Sequence, residues 1–84
     1  MYLSMLDPAL VGKVIACFRQ QKGVSQEILS GLAGINRSNL SAIERGERKP
    51  TLETFYRICC ALDVKMSTVI LQIEKELAQS EGKA

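Results

Sequence analysis

The stretch from Ser25 to Arg45, SQEILSGLAGINRSNLSAIER, constrains this chain more than any other. It reads as two short helices joined by a tight turn. Ser25 is a favourable N-cap for a helix from Gln26 to Leu32, because its hydroxyl can accept from a first-turn N–H that has no partner within the helix. Ala33-Gly34-Ile35 form the turn, with Gly34 at the positive φ that a Cβ disfavours. Asn36 then caps a second helix, Arg37 to about Arg45. Leu29, Ala33, Ile35, Leu40 and Ile43 fall where two crossing helices share one small core. Between them, Arg37, Ser38, Asn39, Ser41 and Ala42 point outward. They are small, hydrogen-bonding or basic, which suits the major groove of DNA.

The run SQE, then AGI, then RSNLSAIERGERKPTLET resembles the helix-turn-helix of the lambda-repressor/Cro family, also called the Xre family, and the resemblance spans roughly Val11 to Leu71. For the segment alone, the alternative is an ordinary helical hairpin in a small bundle. The resemblance implies an all-α, five-helix, lambda-repressor-like fold with the helix-turn-helix at its second and third helices. It also implies a transcriptional regulator, a repressor or controller, that binds an inverted-repeat operator in double-stranded DNA as a homodimer through the recognition helix 37–45. Two positions depart from the family pattern. Ile28 stands where many relatives complete a capping box with glutamate, and Ser30 where most carry alanine.

The length of 84 residues fits one domain, 1–84, with a short apolar lead at 1–6 and a frayed tail at 79–84. The lead has two roles open to it, packing on the bundle or on a partner. A core this small gains from association with a second copy. Net charge is only +2. Four basic residues (Arg37, Arg45, Arg48, Lys49) and two acidic ones (Glu44, Glu47) lie between Asn36 and Pro50, so the whole excess falls on the presumed recognition helix and the loop after it.

Three cysteines, Cys17, Cys59 and Cys60, occur without any histidine or C-x-x-C, so metal-ligand spacing is absent. They read as buried, inert thiols in a reducing cytosol, with redox sensing as the alternative. No apolar run is long enough to span a membrane, and MYLSMLDP lacks the features of a signal peptide, so a cytoplasmic protein is expected. With no glycine-rich phosphate loop and no nucleophile–base constellation, an enzyme is not expected, nor is a cofactor or small-molecule ligand.

In chain order, Asp7-Pro8 starts a first helix that ends at Gly23, with Val11, Val14, Ile15 and Phe18 as its buried stripe. The family resemblance implies an ion pair between Arg19 and Glu44, tying this helix to the recognition helix. Thr51 caps a fourth helix whose apolar face is Leu52, Phe55, Ile58, Cys59 and Leu62. Met66, Val69, Ile70, Ile73 and Leu77 form the stripe of the last helix. Part of it covers the bundle. Val69, Ile70, Ile73 and Leu77 are the candidate dimer interface, against the alternative that the whole stripe is intramolecular core.

Arg37 leads the base-reading candidates, since a guanidinium can bond O6 and N7 of guanine together; a phosphate contact is its alternative. Ser38, Ser41 and Ala42 complete that group. Gln26, Asn39, Arg45, Arg48 and Lys49 are the phosphate-binding candidates, Gln26 through its backbone N–H at the positive end of a helix dipole. Plain solvation is the alternative for Arg48 and Lys49. The resemblance further implies that Gln26 braces Arg37. The rival function is a protein-interaction module of the same fold, an antitoxin or coactivator-like bridge.

Overall fold

The computed structural model describes residues 5–81; most of the lead, 1–4, and the end of the tail, 82–84, lie outside the described residues. Five helices follow one another: α1 (Pro8–Lys22), α2 (Gln26–Ala33), α3 (Arg37–Glu44), α4 (Leu52–Ala61) and α5 (Met66–Glu81). Local chemistry explains most of these limits. Asp7 Oδ1 accepts from the Ala9 N–H at 3.0 Å ahead of Pro8, and α1 ends at Gly23 with φ 72°. Ser25 Oγ accepts from the Ile28 N–H at 3.1 Å, so the cap forms without a capping-box glutamate. Gly34, at φ 68°, ends α2 one residue later than expected. Thr51 Oγ1 caps α4 by accepting from the Thr54 N–H at 3.0 Å.

Asn36 departs from expectation. Its backbone is extended, as an N-cap requires, but its side chain makes no capping bond. Asn36 Oδ1 instead accepts from the Ser38 hydroxyl at 3.2 Å. The tail departs too, since residues 79–81 continue α5.

All five helices feed one core: Val11, Val14 and Ile15 from α1, Leu29 and Ala33 from α2, Leu40 and Ile43 from α3, Phe55, Ile58 and Cys59 from α4, Val69 and Ile73 from α5, with Leu62 just beyond α4. Helix α1 packs on α3 and α5, while α2 packs on α3 and α4. Gly12 permits the α1–α3 approach, because a Cβ there would meet the backbone oxygens of Ile43 and Glu44, the latter at 2.7 Å. Phe18 packs half-buried at the edge of the core.

Several assignments change. Val69 and Ile73, expected at a dimer surface, are 1% and 6% exposed and belong to the molecule's own core, and Leu77 is half-buried against it. A 16-residue helix laid across a small bundle must spend its most central apolar positions on that bundle. Of the four, only Ile70 stays open, at 41%, beside Leu71. Leu52, expected to face the core, is 73% exposed, because the first residue of α4 projects past the bundle edge. Cys59 is buried as expected, whereas Cys17 and Cys60 are exposed on α1 and α4. Among the described residues, no helix is long and apolar enough to cross a membrane.

Candidate nucleic-acid interface

Helix α3 is held from beneath and left bare on top. Leu40 and Ile43, three residues apart, are fully buried and set which side faces the core. At its last turn, Glu44 accepts from Arg19 twice, from Nε at 2.7 Å and from Nη2 at 3.0 Å. Gln26 Nε2 adds a third bond to Glu44 Oε1 at 2.9 Å, and Arg19 Nη1 donates to the Val24 carbonyl at 2.9 Å. The paired carboxylate holds the Arg19 guanidinium above its ordinary range against the opposing effect of burial. The ion pair implied by the family resemblance is therefore present, and it joins α1, the start of α2 and the end of α3.

The same network gives Gln26 a different partner from the one expected. Its side-chain amide donates to Glu44 rather than bracing Arg37. A carboxylate already facing the start of α2 is a charged acceptor, and charge-assisted bonds are the stronger ones.

On the outer side, Arg37 and Ser38 are exposed, and Asn39, Ser41 and Ala42 are half-buried at its margins. The structure thus brings the four base-reading candidates to one helix. The Arg37 side chain makes no hydrogen bond or ion pair among the described residues. Four phosphate candidates, Asn39, Arg45, Arg48 and Lys49, lie on α3 or just after it, three of them already engaged. Arg45 donates from Nε and Nη2 to Glu47 at 2.8 and 3.0 Å, and from Nη1 to Ser41 Oγ. Their mutual hydrogen bonding and charge raise the Arg45 guanidinium and lower the Glu47 carboxyl. Arg48 Nη1 donates to Asn39 Oδ1 at 3.0 Å, and Lys49 is exposed.

Sequence reasoning missed Glu47 as a member of this cluster. Its signal was a carboxylate two residues after Arg45 across a glycine. A second missed feature lies away from α3. Leu6, Val11, Leu52, Phe55, Ile70 and Ile73 line an apolar groove of about 290 Å³ between the start of α1, α4 and α5. Leu6, Leu52 and Ile70 leave much of their surface open there.

A helix-turn-helix family model matches residues 18–69, more than half of the chain. This chain belongs to the helix-turn-helix family. It is 42% identical over 55 residues to an uncharacterized HTH-type transcriptional regulator, y4dJ of Sinorhizobium fredii, covering 66% of this chain and 71% of that one. It is 32% identical over 79 residues to the transcriptional regulator ClgR of Mycobacterium tuberculosis, covering 94% and 70%. Among solved structures, the restriction-modification controller protein C.AhdI from Aeromonas hydrophila superposes with a TM-score of 0.74 at 32% identity, covering 77% of this chain and 98% of that one. The helix-turn-helix of the family is α2 and α3 with the Gly34 turn between them, and the five-helix fold is that of transcriptional regulators.

Proposed function

We propose that this helix-turn-helix regulator binds an inverted-repeat operator in double-stranded DNA as a homodimer, with α3 of each copy in the major groove. The observation that carries the proposal is the division of α3 into a clamped inner side and a bare outer side headed by an unengaged Arg37. Arg37 reads a guanine edge, Ser38, Ser41 and Ala42 contact neighbouring bases, and Asn39, Arg48, Lys49 and the Gln26 N–H hold phosphates. No bond is made or broken. Occupancy of the site blocks polymerase or, from an upstream site, recruits it, and the protein works where the DNA is, in the cytoplasm.

The homodimer forms through the apolar groove around Leu52 and Ile70 rather than through the buried Val69 and Ile73. A second copy covers these side chains and sets two recognition helices about one DNA turn apart, roughly 34 Å.

Selection of duplexes from a random-sequence library by the purified protein tests the proposal. An enriched inverted repeat is expected. Arg37→Ala should then lose about tenfold to a hundredfold in affinity for that duplex while keeping most of its salt-sensitive affinity for random DNA. A competing role as a protein-interaction module draws on Ile28 and Leu32, which expose two apolar side chains one turn apart on α2. A library that yields no preferred duplex would favour that role and reject the operator.

A further inference from the structure

The last turn of α3 carries an arrangement that folding does not require. Arg45 and Glu47 are both more than half exposed and two residues apart. Exposed pairs of this kind contribute little stability. Their geometry is nevertheless set by backbone. Gly46, at φ 78°, donates to the Ile43 carbonyl, and the Glu47 N–H donates to the Ala42 carbonyl at 2.9 Å, which together form a Schellman motif. Gly46 also sits against α1, where a Cβ would come within 2.6 Å of the Ala9 Cα. The backbone of Glu47 is thereby fixed relative to two helices, and its carboxylate takes Nε and Nη2 of Arg45 while Ser41 takes Nη1.

Counting donors shows what remains. A guanidinium has five N–H groups, and three are engaged here. One stays free on each terminal nitrogen, and each can donate to a base-edge acceptor such as O6 or N7 of guanine. The charge that would draw Arg45 to any phosphate is meanwhile matched by Glu47. Arg45 lies four residues after Ser41 and seven after Ser38, on the same side of α3 as these base-reading candidates.

We propose that Glu47 is a specificity-determining residue: it turns Arg45 from a phosphate clamp into a positioned base reader over Ser41, an inference that rests on α3 being the base-reading helix. Glu47 contacts no base in this scheme and acts through Arg45. It lowers affinity for DNA at large and raises the ratio between the right and the wrong sequence, since a carboxylate beside the duplex penalises contacts that do not satisfy the guanidinium.

The test uses Glu47→Gln, which keeps the side-chain shape, and two probes: the duplex selected by the wild-type protein and a scrambled duplex of the same length and composition. Glu47→Gln should bind the scrambled duplex about fivefold more tightly, with a salt dependence steeper by about one phosphate contact. The affinity ratio between the two duplexes should fall about tenfold. In an Arg45→Gln background the same substitution should leave the ratio unchanged. Equal gains on both duplexes, no change on either, or a ratio that still drops without Arg45 would each overturn the role of Glu47. Operator binding itself would stand in those cases, since the wild-type protein would still prefer its selected duplex. A wild-type protein that selects no duplex would remove both. A thermal melt confirms that Glu47→Gln is folded, as expected for an exposed side chain.

Discussion

Arg19 and Glu44 form a two-bond fork between α1 and the end of α3, at 2.7 and 3.0 Å, with side chains only 14% and 6% exposed. Such a pair gains little over a well-packed apolar replacement, but removing one partner leaves a charge stranded away from water, at about 3–5 kcal/mol. Arg19→Ala is therefore expected to lower the melting temperature by more than about 10 °C. Replacing both residues, as in Arg19→Met with Glu44→Leu, should recover part of that loss. Calorimetry or a circular-dichroism melt of the three variants checks the order.

Two glycines are required for close approach rather than for flexibility alone. Gly12→Ala drives a methyl into the carbonyls of Ile43 and Glu44, which belong to helix backbone and cannot swing aside. Overpacking of this kind costs about 1–3 kcal/mol or more. Gly46→Ala adds an unfavourable positive φ to a contact with the α1 backbone. Both variants should lose stability in urea titrations, whereas Gly31→Ala, where a Cβ meets open space, should not.

The three thiols should behave differently. Cys17 and Cys60 are exposed and should alkylate in the native protein, while Cys59 should label only after denaturation, which mass spectrometry can count. Burial, with a smaller contribution from Cys60, pushes the Cys59 thiol up from 9.0 to about 11. The unfolded chain therefore releases this proton first. Between about pH 9 and pH 11 the unfolded state binds fewer protons than the folded one, so this group's contribution makes stability fall as pH rises through that window. Cys59→Ala should show a shallower decline over the same range, whatever its own starting stability.

Association through the groove predicts a concentration-dependent monomer–dimer equilibrium. Leu52→Asp and Ile70→Asp put charge on an apolar face without touching the buried core, and each should shift the protein to monomer in analytical ultracentrifugation while it stays helical. Operator affinity should fall with it, because a monomer reads only half of the repeat. An unchanged sedimentation profile would place the dimer contact elsewhere.

The candidate site was legible where a residue's task is local or carried by the family pattern. Ser25, Gly34 and Thr51 delimit their helices by capping and turn chemistry, and the structure agrees within a residue. The Arg19–Glu44 pair followed from family resemblance and is present. Gln26 and Arg45 were harder. Each is a long polar side chain with several partners in reach, and the choice depends on where a carboxylate from elsewhere in the chain arrives.

By itself the amino-acid order determined five helices, most of their limits to within a residue, and an outward polar face on the segment after Asn36, because capping and 3.6-residue periodicity act over a few neighbouring residues. Only tertiary structure decided that Val69 and Ile73 belong to the interior while Leu52 and Ile70 stay open, and that Glu47 engages Arg45. Periodicity reports an apolar arc along a helix but not which neighbour covers each position. Coverage, and the pairing of long charged side chains, depends on how helices far apart in the chain come together.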